Sequence, residues 1–196
     1  MPFTKYAVDT FISDKVTGVT ECMLADLYAE FPDAKNWVSG FGLMVIFNNQ
    51  PPAQGRPLAL QLVRRVEMIF VEYSQARHQL LDLIAKSAGR WSPYFRALHH
   101  LEAALSLSYQ AYHFAGKALD QRLFESKDNS PLYRLSRIYN TSKHQCAETD
   151  QPIWITNSGI SIEDCSLTFF EIEELVRTLA RIVQPLTSNQ PSEGNG

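Results

Sequence analysis

The chain has 196 residues, 45% of them hydrophobic, enough for one substantial core in a single globular domain. Its formal net charge of -3 excludes a global basic field, so any contact with nucleic acid has to be local. Cys22, Cys146 and Cys165 form no C-x-x-C pair, and their odd number points away from a secreted disulfide framework towards a reducing compartment.

The first fifteen residues, "MPFTKYAVDTFISDK", carry acidic side chains and no continuous apolar stretch, unlike a signal peptide. The apolar runs elsewhere fall far short of membrane-spanning length, so a cytoplasmic protein with no membrane contact is expected. Leu24, Leu27, Tyr28 and Phe31 predict a short helix. "WVSGFGLMVIF" fits a buried helix or a strand, and the helical character of the rest of the chain favours the helix. "NNQPPAQGRP" then reads as a surface loop, so residues 1–55 form an N-terminal helical extension and loop.

From Leu58, apolar residues at Leu62, Val66, Ile69, Tyr73, Ala76, Leu80 and Leu83 recur in steps of four and three, the seam of a long helix. After "GRW", Ser92-Pro93 is a start signal for a second long helix seamed by Leu98, Leu101, Leu105, Ser108, Tyr112, Ala115 and Leu119. His99 and His100 on that helix read as exposed and marginal side chains rather than metal ligands, because the chain holds no Glu-x-x-His. No metal and no cofactor are expected.

Ser130-Pro131 repeats the start signal and predicts a shorter third helix from Pro131 to about Gln145. "IWITNSGISI" alternates around Asn157-Ser158-Gly159, which predicts a small β-hairpin with Gly159 at a left-handed position. Thr168 and Glu171 have capping-box spacing, and Ile172, Leu175, Val176, Leu179, Ile182 and Val183 stripe a fourth main helix. Residues 56–186 therefore form a helical bundle, and residues 187–196 a disordered tail.

The third helix holds the stretch "SRIYNTSKH". On a wheel advancing about 100° per residue, Tyr133, Arg134, Asn140, Thr141 and His144 fall within about 60° of Arg137, with Lys143 towards the flank. Leu132, Leu135, Tyr139, Ser142 and Cys146 fall opposite, which makes that side the core face. The outward stripe carries no carboxylate, whereas a solvated helix face usually mixes signs, so it invites an anion. Histidine exchanges a proton near neutral pH and arginine matches phosphate oxygens, a pairing suited to attack by a ribose 2′-hydroxyl on its own phosphodiester. One helix supplies one such pair, and a two-fold dimer would supply both an acid and a base.

Arg137 and His144 in "RIYNTSKH" fit an R-x(4-6)-H pattern, with Asn140 between them, and in this the chain resembles the HEPN-domain family. The resemblance spans about residues 56–186 and implies an all-α, HEPN-like four-helix bundle, here with the N-terminal helical extension and the small β-hairpin before the last helix. It further implies a homodimer with the motif faces apposed. In many members it implies a metal-independent endoribonuclease of toxin-antitoxin, phage-defence or RNA-processing systems, and in others a non-catalytic binding or assembly module. Carried over, Arg137 and His144 would be catalytic. Asn140, Arg134, Lys143, Thr141 and Tyr133 would hold substrate, and the partners would be RNA, an antitoxin or another protein. Ile138 departs from the polar residue that often follows the motif arginine in active members.

Overall fold

A computed structural model describes residues 5–85, 91–119, 122, 124, 127–144 and 152–188, with the side chains of residues 118, 119 and 144 outside that description. The described chain is mostly helical. In order it runs through α1 (Lys5–Phe11), α2 (Asp14–Thr17), α3 (Leu27–Glu30), α4 (Trp37–Asn48), α5 (Arg56–Ala85), α6 (Ser92–Leu119) and α7 (Pro131–His144). Strands β1 (Trp154–Ile155), β2 (Gly159–Ile162) and β3 (Cys165–Thr168) follow, and α8 (Phe169–Thr187) ends the fold. None of these helices is long and apolar enough to cross a membrane.

Helices α5 and α6 pack along their lengths; α8 lies against both, α7 against α6 and α8, and α4 against α5 and α8. The predicted seam of α5 is the buried one from Leu62 to Leu80, and it is wider than predicted, because Val63 and Phe70 are buried beside Val66 and Ile69. The extra width serves the N-terminal residues: Phe70 meets Tyr28, Phe31 and Trp37 in edge or tilted ring contacts with centroids 5.2–5.7 Å apart. "WVSGFGLMVIF" is helical, and Trp37 and Phe41 enter the same core as the bundle. Each such apolar side chain contributes roughly 1.5–3 kcal/mol by leaving water.

A buried polar joint fixes this N-terminal segment. Glu173 of α8, almost inaccessible to solvent, accepts hydrogen bonds from the Tyr73 hydroxyl at 2.8 Å and from the Ala25 backbone N–H at 2.9 Å. Arg77 of α5 donates to the Leu24 carbonyl at 3.1 Å, and Arg177 of α8 clamps both oxygens of Glu30 at 2.6 and 2.7 Å. A buried carboxylate survives only with such partners.

The predicted starts of α7 and α8 are built as expected. Ser130 Oγ accepts from the Tyr133 N–H at 3.1 Å. Thr168 and Glu171 close the reciprocal capping box at 3.2 and 3.0 Å. Of the α8 stripe, Ile182 stands out as partly exposed, whereas Ala180, outside the predicted stripe, is buried. The expected tail from 187 begins as the end of α8 at Thr187 and otherwise falls mostly on residues outside the described ones.

The predicted hairpin is a three-stranded antiparallel meander, because "CSLT" adds a third strand that a search for one hairpin leaves out. Gly159 is not in the left-handed region; it is required because a Cβ there would run into the Leu167 carbonyl oxygen of the neighbouring strand. The sheet has two unlike faces. Ile155, Ile160 and Leu167, cross-strand partners in register, point into the core. Trp154, Ser161 and Ser166, likewise in register, share the opposite face. The Tyr94 hydroxyl of α6 ties the sheet down, accepting from the Ile155 N–H at 2.9 Å and donating to the Ile155 carbonyl at 3.1 Å.

Candidate functional site

The core side of α7 centres on Leu135 and Ile138, both fully buried, while Leu132 and Tyr139 are only half-buried and turn towards α6. This rotates the expected core face, because α7 packs against α6, α8 and β3 at once rather than against one flat surface. Tyr139 stacks on Tyr109 of α6 at 4.4 Å between centroids, which clips the helix in place. Ile138 is thus a core residue, and its apolar identity answers to packing rather than to the motif beside it. Cys146, expected on the same face, lies outside the described residues.

The outward stripe divides. Tyr133, Arg134 and Arg137 line a cleft of about 860 Å³ between α7 and the Trp154 face of the sheet. Asn140 is exposed one turn beyond Arg137 and Thr141 is half-buried, and neither lines the cleft. Lys143 is exposed on the other flank, its Nζ 6.0 Å from the Tyr139 ring centroid, beside a smaller cavity of about 230 Å³. That cavity holds Glu102, whose carboxyl is pushed up from its ordinary pKa by burial against the pull of His99 and Ser142. His144 is the last residue of α7, and its side chain lies outside the described residues.

The stripe is carboxylate-free along the helix and not in space. Arg134 extends both guanidinium ends to the two Glu171 oxygens and donates to the Ser166 carbonyl at 2.9 Å. Its Nε is buried with no hydrogen-bond partner among the described residues. Arg134 is therefore a strut between α7, β3 and α8, its guanidinium already engaged where the resemblance would have it hold substrate. Burial alone would raise the Glu171 carboxyl, but Arg134 and Thr168 outweigh it and hold it below its usual value. Arg137 Nη2 lies 2.8 Å from each oxygen of Asp164, in the turn between β2 and β3. Both members of that pair remain open to solvent, 37% for the Arg137 side chain and 57% for Asp164. The hydrogen bond holds the Asp164 carboxyl below its ordinary range and the guanidinium above its own. A helical wheel cannot foresee either carboxylate, because both arrive from elements that follow α7 in the chain.

No family model, no curated protein and no solved structure matches this chain. The site is therefore read from its own geometry. The sequence reading missed Lys15 of α2, Trp154, Ser161, Asp164 and Ser166, all of which line the cleft. The signal was there in part: strand alternation in "IWIT" and "GISI" puts Trp154 and Ser161 on the face opposite the isoleucines. Cys165 also reaches the cleft, but its thiol is pushed up by burial and points to the Arg134 carbonyl at 3.9 Å, so it makes a poor nucleophile. Among the described residues no three His, Cys, Asp or Glu side chains gather as metal ligands. His99 is exposed, and His100 Nδ1 sits 2.7 Å from Glu72 on α5.

Proposed function

We propose that the protein is a HEPN-like homodimeric endoribonuclease in which Arg137 and His144 act on the phosphodiester. The ribose 2′-hydroxyl is the nucleophile, so the chain needs to supply only proton transfer and charge stabilisation. His144 takes the hydroxyl proton or delivers one to the leaving 5′-oxygen. Arg137 binds the non-bridging oxygens as charge builds on them. A second copy with its own α7 apposed brings the complementary acid or base, and Asn140, exposed on the same stripe, orients the strand.

The observation that carries this reading is the placement of Arg137, half-exposed on the outward side of α7 at the wall of a cleft open to solvent. The burial of Ile138 supports it as well, since a core residue at that position leaves the motif face itself unaltered. The test is incubation of the purified protein with single-stranded RNA in chelator, beside His144→Ala and Arg137→Ala. Either substitution is expected to slow cleavage by about a hundredfold or more. Wild-type protein that leaves RNA intact, or variants that cut at the wild-type rate, overturn the reading.

The Arg137–Asp164 pair favours a second reading, a non-catalytic module of the same fold that holds a nucleotide, an RNA end or an acidic protein such as an antitoxin. In that case Arg137→Ala weakens binding of the partner, and no turnover accompanies it.

A further inference from the structure

The cleft that Arg137 lines also holds side chains for which the cleavage chemistry has no use. Its floor is the outer face of the sheet, where strand register sets Trp154 beside Ser161 and Ser161 beside Ser166. One large ring next to two small hydroxyl side chains leaves room above the sheet and offers hydrogen-bonding groups beside an aromatic surface. The facing wall brings Tyr133 and Arg137 of α7, and Lys15 adds a cation from α2. At about 860 Å³ the space falls within the range of small-molecule sites, roughly 300–1,000 Å³. Aromatic rings on a sheet face, flanked by cations, are how unstacked bases of single strands are held.

Asp164 fits the same picture. Its two oxygens share one guanidinium nitrogen of Arg137 at equal distance, short of the two-nitrogen fork that a guanidinium offers a phosphate. It sits on a turn with more than half of its side chain in solvent, so an incoming anion can take its place.

We infer that the cleft between α7 and the sheet binds one unstacked nucleotide of a single-stranded RNA, its base against Trp154 and its phosphate on Arg137 in exchange for Asp164. This rests on the RNA-directed reading above and adds to it a base-binding subsite on the sheet, next to the catalytic Arg137. Trp154 is the affinity-giving residue, and Asp164 is an internal competitor that sets how tightly the strand is held.

The test is fluorescence anisotropy with a fluorescein-labelled oligouridylate carrying 2′-fluoro groups, which keep the size of the ribose and remove the nucleophile. The full-length protein is titrated in chelator at low salt. Asp164→Asn is expected to tighten binding several-fold, since it removes the competing charge from an exposed position. Trp154→Leu, which retains apolar volume but no ring, is expected to weaken binding about tenfold. Trp154→Phe, which keeps a stacking surface, should stay within about threefold of wild type and so separates stacking from a packing defect. Unchanged or weaker binding by Asp164→Asn, or wild-type binding by Trp154→Leu, overturns the inference. So does displacement of the probe by a poly-glutamate peptide as readily as by unlabelled oligonucleotide, which would make the cleft an acidic-peptide site. His144→Ala separates the two claims, because it should abolish cleavage and leave probe affinity intact. If no RNA is cut yet Trp154 and Asp164 shift affinity as stated, the subsite stands and the nuclease falls. Cleavage that needs His144 while binding ignores Trp154 gives the converse.

Discussion

Among the helical arginines that hold carboxylates, Arg177 and Arg137 do opposite things. Arg177 on α8 faces Glu30, Glu173 and Glu174, with every guanidinium nitrogen engaged and only 14% of its side chain exposed. Arg137 on α7 meets Asp164 through a single nitrogen and is more than twice as exposed. From the sequence both are simply arginines on amphipathic helices. What separates them is how many acids reach them and whether solvent does too: a shielded cation held by three carboxylates is a fastening, and one held by a lone exposed aspartate is an exchangeable contact.

That contrast breaks most visibly at the fastening. Glu173→Ala strips partners from Tyr73, the Ala25 N–H and Arg177 together, and should cost about 3 kcal/mol in urea unfolding. Glu173→Gln, which keeps an acceptor for Tyr73 and Ala25, should lose visibly less. A full loss confined to neither variant would show that the joint is not what holds the N-terminal segment.

Arg137→Ala should leave the urea midpoint close to that of the wild type while removing the RNA cleavage proposed above, the reverse of a structural residue. A large drop in stability would put Arg137 in the same class as Arg177.

The smallest effect is in the acid limb of stability. The Glu30 carboxyl is held below its usual range chiefly by the hydrogen bond from Arg177. A depressed carboxylate adds stability that is fully present above the unfolded-state value, about 4.3, and is lost as pH falls through the lowered folded value. Glu30→Gln should therefore flatten the decline in melting temperature below about pH 5. Asp164→Asn should flatten it less, because its pair lies in open solvent.

Helix positions were legible because long seams such as Leu62-Val66-Ile69-Tyr73 repeat the period over many turns, and because Ser130, Thr168 and Glu171 are local signals for local bonds. The wall of the cleft was not. Asp164 and Glu171 lie 27 and 37 residues beyond the arginines they hold, and a wheel drawn for one helix contains no such partners. Ile138 teaches the same lesson from the other side. Its angle on the wheel lies between the two faces, and only the approach of α6 and β3 together decides that it is core.

Strand β1 is an outer strand of the small sheet, and an outer strand normally presents unpaired backbone groups to any extended chain that drifts past. Here Tyr94 occupies the amide and the carbonyl of Ile155 with one hydroxyl. Burial pushes that phenol up to about 12, so it keeps its proton at any ordinary pH and the occupation does not lapse. A side chain from the helical core thus blocks the β1 edge to a further strand, and the aromatic-bearing face beside that edge can stay open to solvent without offering it as a template for aggregation.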